Sequence, residues 1–112
     1  MSSLTGDIDQ RGSATVLSLS GQIPATEIAE LNRLLARATA GRPNRLIIDV
    51  NGLTLITSPG VGALLKLSQE VADWDGQLWL VGLQPGVEDI IRDSRLDQVF
   101  DIAATIDDAL TA

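Results

Sequence analysis

The chain has no cysteine and no histidine. Without cysteine there is no disulfide, no thiol nucleophile and no thiolate to bind a metal. Without histidine no imidazole base is available near neutral pH, so a serine hydroxyl lacks its usual activator, and the common zinc sites are excluded as well. Carboxylates are plentiful, but the pattern sets no pair of them apart as acid and base. Neither a cofactor nor a metal nor a catalytic residue is expected.

Positive charge is also scarce. Fifteen acids stand against eight bases, a formal net charge of -7, and Lys66 is the only lysine. Between Glu70 and Asp108 only Arg92 and Arg95 face ten acids. A nucleic acid needs a basic surface, so none is expected as a partner. An acidic surface favours solubility and suits a basic patch on another protein. No stretch reaches the 18 or so uncharged apolar residues of a membrane helix, and Met1 to Asp7 shows neither the basic start nor the apolar run of a leader. Membrane insertion is not expected, and the cytoplasm is the expected location.

What is present is a core. Hydrophobic residues make up 45% of the 112, enough for one domain spanning residues 1–112. Leu4 to Ile8 and Ala14 to Ser20 read as two strands joined at Gly12-Ser13, with Gly21 ending the second. Pro24 stands where a helix can begin. Ile28, Leu31, Leu35 and Ala38, with Leu34, recur at helical spacing, while Glu27, Glu30, Arg33 and Arg37 take the wet side. Leu46-Ile47-Ile48-Asp49-Val50 is nearly all apolar, which suits a parallel strand buried on both faces, and Asn51-Gly52 marks its end. A second helix starts near Ser58-Pro59-Gly60, its apolar stripe read as Val61, Leu64, Leu65, Ser68, Val71 and Ala72, and ends around Trp74. Leu78 to Val81 is a buried strand. Pro85 opens a third helix with Val87, Ile90 and Ile91 inward and Leu96 closing it. Val99 to Ile102 is an edge strand, and Thr105 to Leu110 a last helix capped by Thr105 or Asp107. Of the two tryptophans, Trp74 is expected to be the more exposed. The order β-β-α-β-α-β-α-β-α predicts an α/β fold, a mixed sheet packed against helices.

One segment invites a functional reading: Thr57-Ser58-Pro59-Gly60-Val61-Gly62, between a buried strand and a helix. Ser58 suits an N-cap and Pro59 a first helical residue. The same geometry also displays the Ser58 hydroxyl, where a phosphate meets free N–H groups and the positive end of the helix dipole. Both readings stand. A nucleotide loop does not, because no lysine follows at Walker spacing and no GxGxxG occurs.

The run Leu46 to Leu65, LIIDVNGLTLITSPGVGALL, resembles the signature of the STAS family of anti-sigma factor antagonists: a strand ending in an acid, a loop, then Asp-Ser-Ser/Thr-Gly-φ-Gly and an apolar helix. Leu17 to Ala25, LSLSGQIPA, is similar to that family's L-x-G-x-L/I-D turn, and Leu78 to Ile102 to its later strand, x-P-x-V helix and L-x-x-φ-F pattern. The resemblance implies a STAS-like fold and a regulatory, signalling protein of transcription control, not an enzyme. Its partner would be an anti-sigma factor that is also a GHKL-type serine kinase, and Ser58 would be the phosphorylated serine. It implies a partner surface built from Gln22, Ile23 and Pro24, from Thr57, Ser58 and Pro59, and from Lys66 and Gln69. Thr57 replaces the family's aspartate and Pro59 its second hydroxyl. These departures motivate an alternative: an unphosphorylated STAS scaffold or accessory subunit, with transporter or scaffold subunits as partners.

Overall fold

The computed structural model describes residues 3–112; Met1 and Ser2, at the head of the stretch read for a leader, lie outside them. Strand β1 (Leu4–Arg11) turns at Gly12-Ser13 into the antiparallel β2 (Ala14–Ile23). Gly12, at φ +63°, supplies the left-handed backbone that a tight hairpin requires. There follow α1 (Ile28–Thr39), β3 (Arg45–Ile56), α2 (Ser58–Asp73), β4 (Gln77–Val81), α3 (Pro85–Asp93), β5 (Asp101–Ala103) and α4 (Ile106–Thr111). This is the expected order.

The strands lie side by side in chain order, with β1 antiparallel to β2 and the rest parallel. Parallel crossovers are right-handed, so three successive steps in one direction place their helices on one face. Leu31, Leu34 and Leu35 of α1, Leu64 and Leu67 of α2, and Val87 and Ile91 of α3 accordingly share a core with Leu17, Leu19, Leu46, Ile48 and Leu80. The alternate strand residues Val16, Ile47 and Val81 point the other way and bury Ala109 of α4. Arg45 fastens that helix. Its Nη1 donates to the Ala109 and Leu110 carbonyls at 2.6 and 2.8 Å, and its Nη2 to that of Ala112 at 3.0 Å, a cation on a helix C-terminus. At the other end of α4, Thr105 is the cap: its Oγ1 accepts from the Asp108 N–H at 3.1 Å.

The structure corrects several boundaries. Neither Gly21 nor Asn51-Gly52 ends its strand; β2 and β3 stay paired as far as Ile23 opposite Ile56. The turn-forming residues are absorbed as irregularities in a long ladder. Gly21 takes φ +99°, where a Cβ would lie 1.9 Å from the Ser3 carbonyl oxygen, and the register shifts at the next residue. Pro24 precedes a 3-10 turn, Ala25–Glu27, and α1 begins only at Ile28. Val99 and Phe100 belong to the turn closed by their N–H bonds to the Leu96 carbonyl, so the edge strand starts at Asp101. Both tryptophans are half-buried, and Trp74 is pinned by its Nε1 donating to the Pro43 carbonyl at 3.0 Å.

The inward face of α2 differs too: it is Gly60, Leu64, Leu67 and Val71, while Leu65 is 43% exposed and Ala72 is exposed. Gly60 sets this rotation. A Cβ there would stand 2.9 Å from Ile56 Cγ1 and 3.1 Å from Ile23 Cγ2, so the bare glycine lets the helix start rest on the strand ends. No helix among the described residues is long and apolar enough to cross a membrane.

Candidate functional site

Because β2 and β3 stay paired to their last residues, the turn after one and the loop after the other emerge together. Gln22 lies opposite Leu55 and Ile23 opposite Ile56. Thr57 then ties them: its Oγ1 donates to the Ile23 carbonyl at 2.8 Å, and one turn back Thr54 Oγ1 donates to that of Gly21 at 3.2 Å. Gln22, Pro24, Thr57, Ser58 and Pro59 thus form one surface. Ile23 does not present its side chain there, being fully buried; its carbonyl is what takes part.

Ser58 is not the N-cap. Thr57 occupies that position with extended backbone, φ -110° and ψ 169°, and its carbonyl accepts the Val61 N–H at 3.1 Å. Its hydroxyl is spent on Ile23, so no side chain caps α2. Ser58 is the first helical residue and Pro59 the second, where the missing N–H removes no helical bond. The Ser58 side chain is exposed and, among the described residues, has no hydrogen-bond partner. It is a spare hydroxyl.

Helical spacing then decides what shares its face. At about 100° per residue, Gly62, Leu65 and Gln69 fall within roughly 40° of Ser58, whereas Lys66 lies about 80° away. Lys66 opens instead on a cleft toward α1, with Asn32, Ala36 and Glu70. The face that carries Ser58 therefore includes Leu65 and Gln69, while Lys66 lies to one side of it. A Cβ on Gly62 would meet nothing within 4 Å, so this part of the helix is bare.

On the α3 side of Ser58 the surface dips into an open groove of about 470 Å³. Ile56, Val61 and Ile90 give it apolar walls, and Ser58, Asp93 and Ser94 polar ones, with Thr57 at its end. Sequence reasoning missed Leu65, Ile90 and Asp93. Leu65 was hidden because Val61, Ala63, Leu64, Leu65 and Leu67 are all apolar, and the buried Gly60 is the signal that selects among the possible rotations. No local signal ties α3 to Ser58; the sheet order does. No three carboxylates are gathered to hold a metal among the described residues. What the arrangement offers is recognition: a free hydroxyl, an uncovered leucine and a groove with one carboxylate.

The sequence profile of the STAS domain family matches residues 6–109. The crystal structure of an anti-sigma factor antagonist from Mycobacterium paratuberculosis is 27% identical, has a TM-score of 0.89, and aligns over 97% of this chain and 92% of its own. The Bacillus cell fate determinant SpoIIAA in its phosphorylated form is 19% identical, with a TM-score of 0.72 over 96% of this chain and 97% of its own. The murine anion transporter Slc26a9, in its inward-facing state, matches with 18% identity and a TM-score of 0.77, over 92% of this chain but 18% of the transporter. At such identities the last two likenesses concern the fold alone.

Proposed function

We propose, from the premise that the chain belongs to the STAS domain family, that it is an anti-sigma factor antagonist whose partner is an anti-sigma factor of the GHKL-type serine kinase class. The observation that carries this is Ser58: an exposed, unbonded hydroxyl heading a helix face that also leaves Gly62 and Leu65 uncovered. A residue needed as a helix cap would be hydrogen-bonded. The likeness to the mycobacterial antagonist supports an anti-sigma factor as the partner. In this reading Gln22, Pro24, Thr57, Ser58, Pro59 and Gln69, with Leu65 added, contact the partner, while Lys66 stands at the margin.

The switch is phosphoryl transfer from the partner's ATP. The Ser58 oxygen bonds to the γ-phosphorus, the bond to ADP breaks, and the hydroxyl proton leaves to solvent. The product carries about 1.5 to 2 negative charges where an apolar contact was made, on a groove that the carboxylate of Asp93 also lines, and the complex opens. Pro59 sits in the first turn and Thr57 is engaged with Ile23, so neither departure from the family motif blocks the hydroxyl. The unphosphorylated scaffold or transport-accessory reading keeps its ground in Thr57, which brings no carboxylate to the loop.

Titration of the anti-sigma factor kinase against three forms of the protein tests the switch. Ser58→Ala should bind as the wild type does, and Ser58→Glu at least about tenfold more weakly, a change of roughly 1.4 kcal/mol. Equal affinity of all three would remove the switch and leave the scaffold reading.

A further inference from the structure

We infer that the groove between the start of α2 and the end of α3 is a receptor for one basic side chain of a partner protein, with Asp93 as its counter-charge. The inference rests on the reading of this surface as the partner face, and it names the chemistry that face selects.

Three observations point there. The groove walls at Ile56, Val61 and Ile90 are apolar, while Asp93 and Ser94 stand at its rim. That sequence of surfaces matches an arginine or lysine, whose methylene stem packs on hydrocarbon while its head stays wet and charged. Secondly, Asp93 is exposed and, among the described residues, has neither a hydrogen bond nor an ion pair. The nearby arginine of the same helix, Arg92, is already held by Glu88 at 2.9 Å. Thirdly, Asp93 is the last residue of α3, where the negative end of the helix dipole disfavours a carboxylate. The residue thus does nothing for its own helix, and among the described residues no ion pair compensates it, neither from Arg92 nor from Arg95. A cation brought by a partner would.

The Ser94 hydroxyl donates back to the Ile90 carbonyl at 2.6 Å, so the rim is shaped by α3 itself and does not need a partner to form. Ser58 closes the groove on the α2 side. A partner that fills the groove therefore passes directly over the hydroxyl, which couples recognition at Asp93 to the modification state of Ser58. Net charge agrees: a chain at -7 meets basic surfaces readily, and the groove tells one basic side chain where to go.

The test is a nitrogen-15 NMR titration of the full chain with N-acetyl-L-arginine amide and with its neutral isostere N-acetyl-L-citrulline amide. The arginine probe should give saturable shifts centred on Ser58, Val61, Ile90, Asp93 and Ser94. It should bind at least about threefold more tightly than the citrulline probe, in the range of an exposed charge pair. In Asp93→Asn that preference should vanish, while the melting temperature stays level or rises because an unfavourable helix-end charge has gone. A preference below about threefold, a preference that survives in Asp93→Asn, or shifts centred elsewhere would overturn the inference. The titration uses no anti-sigma factor, so its failure leaves the partner reading of Ser58 and Leu65 standing, and failure to retrieve such a partner leaves the groove result standing.

Discussion

At the scale of single residues, Thr57 and Ser58 divide the work that the sequence leaves open. A Ser58 hydroxyl before Pro59 reads as a cap or as a display. Which it is depends on a bond from Thr57 to Ile23, a contact across the sheet that local pattern cannot register. Thr57 anchors; Ser58 is free. In urea denaturation, Ser58→Ala should therefore change stability by less than about 0.5 kcal/mol, as a surface substitution does. Thr57→Val, which keeps the shape but loses the hydrogen bond to the Ile23 carbonyl, should cost about 1 kcal/mol. The reverse ranking would make Ser58 a structural residue.

At the scale of elements, the strands and helices were legible because their apolar periodicities are strong: Leu31, Leu34, Leu35 and Ala38 bury as the spacing predicts. What the pattern misjudged was where glycine-bearing strands stop and how α2 is turned about its axis. Gly21 and Asn51-Gly52 carry turn chemistry, but a long ladder between β2 and β3 outweighs it. In α2 apolar residues occupy too many positions for periodicity alone to select a face, and close packing at Gly60 selects it. Two substitutions separate these roles. Gly62→Ala, on the open face, should stabilise the protein by about 0.5–1 kcal/mol through helix propensity. Gly60→Ala brings the same propensity but forces a Cβ onto Ile56 and Ile23, and overpacking of that kind costs about 1–3 kcal/mol, so it should come out level or destabilised. Thermal melts of both proteins check the contrast.

At the scale of the whole molecule, sheet topology turns separate motifs into a site. Sequential strand order carries α1, α2 and α3 to one face and lets the turn at Gln22 to Pro24, the loop at Thr57 to Pro59 and the end of α3 come together beyond the C-terminal ends of β2 and β3. The first two pieces were readable from the chain by resemblance. The third was not, since Asp93 and Ile90 are joined to Ser58 only through the fold. The acidic balance of the chain suits its surface to a basic patch on another protein. The most direct test of that account is quantitative affinity capture from lysate of the source organism, using the wild type and Leu65→Asp as paired baits. The account predicts that the wild type retrieves an anti-sigma factor kinase and that Leu65→Asp, folded as judged by circular dichroism, loses it. Retrieval of transporter or scaffold subunits alone, or a kinase held equally by both baits, would contradict it.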